Sequence, residues 1–172
     1  KFNCDITADI MKIDDLELGV YDFIWASPPC ETWSVASIGH HWTGGKCAYI
    51  PKTPEAEYMI ELVKRTIKVV SEHSKYTWVI ENPRGVLRKM PFMQEITRKT
   101  VTYCQYGESR MKPTDIWTCG FFWNPRPMCK NGDPCHNKAP RGSRTGTQGM
   151  KNYAEKSVVP NESWKEILNH AE

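Results

Sequence analysis

Two short polar segments follow apolar, strand-like runs of this sequence and carry side chains suited to covalent and acid chemistry. Segment 27–30 (Ser-Pro-Pro-Cys) follows the run 21–26, and segment 81–83 (Glu-Asn-Pro) follows the run 76–80. A cysteine thiolate is a strong nucleophile, and a glutamic acid can supply a proton or hydrogen bond. Each segment alone also fits a plain interpretation, a strand end with a buried thiol or a turn with a solvated carboxylate.

A helix between the two runs predicts how they are arranged. Thr53 can cap it, Pro54 suits its first turn, and apolar residues recur at spacings of three and four as far as Val70. Strand, helix and strand form a βαβ unit with parallel strands, whose carboxyl ends lie at one edge of a sheet. We therefore expect Cys30 and Glu81 to lie near each other.

The rest of the chain divides at Trp123. Before it, the pattern predicts a short helix over 92–99, an antiparallel pair of strands over 101–105 and 114–118, and a long loop over 28–54. After it, segment 124–151 is rich in Pro, Gly, Asn and basic residues, and a last helix is expected over 162–171. We interpret 1–123 as an α/β catalytic domain and 124–172 as a basic, loop-rich extension.

Composition limits the class of protein. The chain has 172 residues, 40% of them hydrophobic and 25% charged, which suits one globular domain and excludes a disordered chain, a collagen-like fibre or a coiled coil. No run of eighteen apolar residues or signal segment occurs, so no membrane partner is expected. The net charge of +3 is compatible with a nucleic-acid partner. Seven cysteines, an odd count, favour a reducing, cytoplasmic compartment.

Four motifs in order resemble those of the DNA cytosine-5 methyltransferases. The segment from Pro28 to Ser34 resembles their catalytic loop, and 81–83 resembles their second catalytic motif, which more often has valine in third place. Asp9 with Ile10 is similar to the acidic position near the cofactor adenine, and segment 106–112 to their basic motif. The resemblance covers roughly residues 5–120, and phage-encoded members look most similar, so the host of such a protein would be a bacterial or phage-infected cell.

The resemblance implies a Rossmann-like sheet, DNA as substrate, S-adenosylmethionine as methyl donor, and a role for each motif residue. Cys30 would attack C6 of cytosine, Glu81 would serve N3, and Arg110 or Lys112 would hold the flipped base. The loop over 34–54 would close over that base. The remaining candidates would bind DNA (Ser34, Asn82, Pro83) or the cofactor (Asp9, Ile10, Pro28, Pro29).

The family's glycine-rich cofactor loop and its acidic ribose-binding residue have no counterpart before Asp9. This predicts that a longer N-terminal segment or a second chain completes the cofactor site. Without the central strand of the expected sheet, an apolar edge would be left open. An alternative is an inactive remnant that binds nucleic acid.

The C-terminal extension raises a separate possibility of metal binding. Cys119, Cys129, Cys135 and His136 are four soft ligands within eighteen residues, and zinc would replace a missing core there. The spacing lacks Cys-x-x-Cys pairs, so free thiols are the alternative, and Cys104 is a possible substitute ligand. Basic residues of the extension, among them Arg141 and Arg144, suit contact with DNA phosphates. A zinc-stabilised interaction module is thus a third hypothesis.

Overall fold

A computed structural model describes residues 6–13, 18–44, 49–138 and 153–171. Strands within these ranges are β1 (Tyr21–Ala26), β2 (Trp42–Thr43), β3 (Ile50–Pro51), β4 (Ser74–Pro83), β5 (Thr97–Thr102) and β6 (Pro113–Cys119). The α-helices are α1 (Ile38–His41), α2 (Pro54–His73), α3 (Tyr153–Ser157) and α4 (Asn161–Ala171). Short 3₁₀ helices cover Leu87–Lys89, Pro91–Met93 and Tyr103–Tyr106.

Four strands form one mixed sheet in the order β1-β4-β6-β5. β1 and β4 are parallel, with Ala26 opposite Ile80, and α2 connects them as the βαβ prediction required. β6 runs antiparallel to both β4 and β5, which confirms that the last two strands form an antiparallel pair. The strand predicted over 101–105 ends at Thr102, however, and a 3₁₀ turn follows it. The α/β class is therefore confirmed.

α2 covers one face of this sheet. The Thr53 hydroxyl accepts a hydrogen bond from the amide of Ala56 at 3.3 Å, and Pro54 occupies the first turn, as its fixed φ favours. The apolar stripe of the helix packs on Ile80 and Trp117 from the sheet. Burial of this stripe fixes α2 over the two parallel strands.

α4 contributes Ile167, which is fully buried, to a second hydrophobic core. Ile167 packs with Val79 of β4 and Ile116 of β6. Because side chains alternate along a strand, Glu81 lies on the same face of β4 as Val79, whereas Ile80 belongs to the core under α2. The catalytic candidate therefore faces the side of the sheet that carries α4.

Two further local predictions differ from the structure. The expected helix over 92–99 is wrong, since the chain forms a 3₁₀ turn at Pro91–Met93 and enters β5 at Thr97. Pairing of the β-branched residues of β5 with β6 outweighs the short helical period. The expected loop over 28–54 also contains α1 and the antiparallel pair β2–β3.

β1 is an edge strand of the sheet as far as the structure describes the chain. β4 is its neighbour there, and Val20 and Tyr21 are exposed where the strand begins. The described helices include none that combines the length and apolar character needed to cross a bilayer.

A buried ion pair joins the sheet to the turn after β4. Asp115 of β6 is fully buried, accepts a hydrogen bond from the Thr100 hydroxyl at 2.8 Å, and receives both Nε and Nη2 of Arg88. Replacing Arg88 by methionine leaves that carboxylate without its cation, so we expect a loss of about 3 kcal/mol in the free energy of unfolding. Urea denaturation measures it, with Lys89→Met, an exposed neighbour, as a control that should change stability by less than about 0.5 kcal/mol. Equal stability of the two variants would contradict this role.

Candidate active site

The structure brings the loop that carries Cys30 to the end of the strand that carries Glu81. β1 and β4 are parallel neighbours, so both segments leave the sheet at the same edge. The buried side chain of Asn82 donates a hydrogen bond from Nδ2 to the carbonyl of Pro28 at 2.8 Å. This contact links the two predicted motifs directly.

A tight turn fixes the direction in which Cys30 leaves the sheet. The amides of Trp33 and Ser34 both donate to the Cys30 carbonyl at 3.1 Å. Trp33 is fully buried, and its carbonyl accepts from the Val86 amide at 2.8 Å. A Cβ on Gly85 would lie 2.1 Å from that carbonyl oxygen, so this close approach requires glycine.

Glu81 is buried and hydrogen-bonded. The hydroxyl of Tyr103 donates to Oε1 of Glu81 at 2.8 Å. Burial raises the pKa of Glu81 above its ordinary value of 4.5, and the charge of Lys112 and the hydrogen bonds of Tyr103 and Ser27 oppose that rise. A carboxyl with a raised pKa holds a proton more readily, which is what a general acid needs.

Lys112 is the basic residue whose charge lowers the pKa of both Cys30 and Glu81. Its Nζ lies 4.7 Å from the centre of the Tyr103 ring. Burial lowers the pKa of the amine, as does the charge of Arg110, whereas the charges of Glu81 and Cys30 raise it. Lys112 has a φ of +29°, an unusual conformation for a side-chain-bearing residue. Arg110 instead contacts Glu108 at 2.6 Å. The charge of Lys112 acts on both Cys30 and Glu81, and its amine also donates to the carbonyls of Lys156 at 2.7 Å and Val158 at 3.4 Å.

The Cys30 thiol is half-buried and its pKa is raised above 9.0. Burial is the largest cause, the charges of Glu31 and Glu81 add to it, and the charge of Lys112 opposes it. The thiol is therefore mainly protonated at neutral pH. If Glu81 takes up a proton, one of the charges that disfavour the thiolate disappears.

These couplings predict how the alkylation rate of Cys30 changes with pH. Removing the Glu81 charge in Glu81→Gln should lower the pKa of the thiol and shift the rate profile to lower pH. Removing the positive charge in Lys112→Met should shift it to higher pH. Iodoacetamide labelling followed by mass spectrometry of the Cys30 peptide measures both, with exposed Cys119 as the internal control whose profile should stay unchanged. Shifts in the same direction would show that the two charges do not act on Cys30.

The four predicted cofactor residues do not make a complete cofactor site by themselves. Asp9 is exposed, and its Oδ1 accepts from the Met11 amide at 3.0 Å. The Ile10 carbonyl is held by Nε of Arg65 on α2 at 3.1 Å. The Pro28 carbonyl is used by Asn82, and Pro29 is exposed. Of the four residues, Asp9 is the one with a polar side chain, and its Oδ2 lies 3.8 Å from Nζ of Lys12.

The predicted DNA-binding residues fall in different places. Asn82 holds the Cys30 loop, and Pro83 ends β4 opposite Thr114. Ser34 is half-buried, and its hydroxyl accepts from the Ala36 amide at 3.2 Å. Arg141 and Arg144 lie outside the described residues.

Three of the predicted metal ligands come together, with Cys104 as the fourth. The donor atoms of Cys104, Cys129, Cys135 and His136 all lie within 4.8 Å of one another. Cys119 is exposed and not part of this group. The register of the sheet is the reason. Cys119 ends β6 opposite Trp78 in the middle of β4, whereas Cys104 follows the end of β5, which lies beside the start of β6. The prediction that Cys119 is a ligand is corrected accordingly.

Sequence reasoning missed Tyr103 as the partner of Glu81. It lies 22 residues from Glu81 along the chain and belongs to no motif. The available signal was an aromatic hydroxyl in the middle of the strand predicted over 101–105. Burial and the charge of Glu81 raise the pKa of Tyr103, which keeps it a hydrogen-bond donor.

The fold and site define an α/β protein with a thiol and a buried carboxyl at one edge of a mixed sheet, as the methyltransferase motifs implied. A curated protein described as a probable DNA (cytosine-5)-methyltransferase, from Frog virus 3 (isolate Goorha), is 26% identical over 137 residues. The match covers 77% of this chain and 63% of that relative, so the chain spans less than two thirds of its length. No protein-family model matches. The similarity supports the resemblance to the DNA cytosine-5 methyltransferase family.

Proposed function

We propose that this chain carries the base-activating part of a DNA cytosine-5 methyltransferase. The observation that carries the proposal is the Asn82–Pro28 hydrogen bond, which holds the Cys30 loop against the strand end bearing Glu81. A nucleophile and a buried acid at one sheet edge are the two groups that this chemistry needs. The relative from Frog virus 3 supports the same family independently.

In the proposed step the Cys30 thiolate adds to C6 of the target cytosine, and Glu81 gives its proton to N3. The Cys30 thiol first loses its proton to water. A bond then forms between Sγ and C6, the C5=C6 electron pair shifts to C4=C5, and the C4=N3 pair takes up the Glu81 proton at N3, which leaves an enamine with its electron density on C5. Tyr103 holds the carboxyl in place, and the charge of Lys112 stabilises the thiolate. C5 is then the atom that accepts the methyl group.

S-adenosylmethionine is the proposed donor because the resemblance implies it, and its chemistry is a methyl carbon on a positively charged sulfur. Asp9, Ile10, Pro28 and Pro29 do not fit it as a complete site, for the reasons given above. We therefore propose that a longer N-terminal segment or a second chain supplies the remaining contacts. The steps assigned to Cys30 and Glu81 do not depend on which of these holds.

The proposed substrate is duplex DNA from which the target base is extruded. Chemistry at C6 requires that the base leave the stack. The segment 34–54 follows the Cys30 turn directly and contains α1, β2 and β3. We propose that this segment covers the extruded base.

Covalent trapping tests the base-activating step without the cofactor. A duplex with 5-azacytosine, in which a ring nitrogen replaces C5 and makes C6 more electrophilic, is mixed with the full chain and run on a denaturing gel. The expected result is a DNA–protein adduct mapped to Cys30 by mass spectrometry, with an unmodified duplex as the control. Binding in a native gel without an adduct would overturn the proposal.

A second duplex with 5-fluorocytosine tests the donor. This duplex is mixed with the full chain and S-adenosylmethionine. A lasting adduct then requires methyl transfer to C5, because fluorine cannot leave C5 afterwards as a proton does. An adduct with 5-azacytosine alone is expected if the cofactor site needs further residues. An adduct with both would show that this chain binds the donor by itself.

The second candidate is a nucleic-acid-binding remnant without activity. The incomplete cofactor residues and the raised pKa of the Cys30 thiol favour it. It predicts DNA binding in the native gel and no adduct with either duplex. The same pair of gels therefore separates the two functions.

A further inference from the structure

Three thiols and an imidazole converge beside β5. Cys104 belongs to the 3₁₀ turn Tyr103–Tyr106, and Cys129, Cys135 and His136 come from segment 124–138, for which the structure gives no helix or strand. Cys104 and Cys129 are buried, whereas Cys135 is exposed and His136 half-buried. The four side chains meet only because the segment folds back over the end of the sheet.

The distances between donor atoms fit a single ion. Sγ of Cys104 lies 3.0 Å from Sγ of Cys129 and 3.6 Å from Sγ of Cys135. Nδ1 of His136 lies 3.6 Å from Sγ of Cys129 and 3.4 Å from Sγ of Cys135. Tetrahedral zinc, with its usual bond lengths, would separate sulfurs by about 3.8 Å and sulfur from nitrogen by about 3.6 Å. Since all four donor atoms lie within 4.8 Å of one another, movements of about 1 Å or less bring them to those separations.

We propose that Cys104, Cys129, Cys135 and His136 bind one structural Zn²⁺. Three thiolates and one imidazole are a ligand set of structural zinc sites, and soft thiolates disfavour magnesium or calcium. Four protein ligands fill the coordination sphere, so the ion has no open position for substrate. The site lies outside the proposed chemistry of Cys30 and Glu81.

The surroundings indicate what a bound ion would add there. Apart from the ligands, Met111 is the buried residue of this small cluster, which is separate from the two larger cores. The amide of Cys129 donates to the Thr102 hydroxyl at 3.2 Å, and the amide of Asn137 donates to the Ser109 carbonyl at 2.8 Å. Arg126 holds the start of the segment through Glu162 and Glu166, each at 2.8 Å, but the two amide contacts nearer the cluster bury little apolar surface.

The site also bears on the candidate acid. Cys104 directly follows Tyr103, whose hydroxyl donates to Glu81. An ion bound to Cys104 therefore ties segment 124–138 to the turn that presents Tyr103. When no ion is bound, the Gly132 amide donates a hydrogen bond to Nε2 of His136 at 3.3 Å. Binding of the ion through Nδ1 places the ring proton on Nε2, so that two donors would face each other and the Gly132 amide has to turn away.

Metal content of the purified full chain tests the proposal. The chain is expressed with zinc in the medium, purified under reducing conditions without chelator, and analysed by mass spectrometry for metals. The expected result is one zinc per chain, falling at least tenfold in Cys135→Ser and in His136→Ala. Both positions lie at least partly at the surface, so these variants should fold. Cys119→Ser is the matched control and should keep one zinc.

A second readout identifies the ligands. Cobalt added to the metal-free chain should give the visible absorption of tetrahedral Co²⁺ with thiolate charge-transfer bands, and Cys135→Ser should weaken those bands. A wild-type chain without zinc, or zinc retained equally in all three variants, would overturn the proposal. A Cys104–Cys129 disulfide in the reduced preparation would overturn it as well.

Discussion

Replacement of Cys30 by alanine is expected to abolish the covalent adduct with 5-azacytosine DNA and to leave the melting temperature nearly unchanged. The adduct requires a sulfur nucleophile at this position, and no other group of the site can replace it. Cys30 is half-buried at the start of a turn held by backbone hydrogen bonds to its carbonyl, which alanine also supplies. The denaturing gel and a thermal melt measure the two effects.

Cys119→Ala is the matched control, because Cys119 is exposed and lies at the opposite end of the sheet. It should form the adduct at the wild-type rate. A large fall in melting temperature in Cys30→Ala would identify Cys30 as a structural thiol. An adduct that persists in Cys30→Ala would assign the nucleophile to another cysteine.

Glu81→Gln is expected to slow adduct formation by about two to four decades, the usual range for a lost general acid. Glutamine has nearly the same shape and can still accept the hydrogen bond of Tyr103, but it has no proton to give to N3. The chain should therefore fold normally. The rate is measured under single-turnover conditions with excess chain over the 5-azacytosine duplex.

Tyr103→Phe distinguishes the role of the Glu81 proton from that of the hydrogen bond that Tyr103 donates to the carboxyl. It removes the hydrogen bond to Glu81 but leaves the carboxyl, so it should slow the reaction much less than Glu81→Gln. A near-normal rate in Glu81→Gln would remove Glu81 from the mechanism. Equal losses in both variants would indicate that the hydrogen bond, rather than the proton, is what matters.

Local sequence signals predicted much of the fold. Thr53 and Pro54 fixed the start of α2, and the apolar runs before Cys30 and Glu81 became the parallel pair β1 and β4. Where the signal was short, it failed. The apolar residues over 92–99 also suit a helix, and the strand β5 forms there because β6 offers it a hydrogen-bonded partner.

What the sequence by itself determined is the pair of motifs at the ends of β1 and β4, because strand ends and proline-stiffened loops depend on neighbouring residues. Only the tertiary structure shows that Cys104, and not Cys119, lies with Cys129, Cys135 and His136. Only the tertiary structure, likewise, brings the charge of Lys112 close enough to act on Cys30 and Glu81. These outcomes depend on which end of the sheet each strand reaches, and on contacts between residues more than twenty positions apart. Such contacts follow from sheet register and from the burial of α4, which no local pattern encodes.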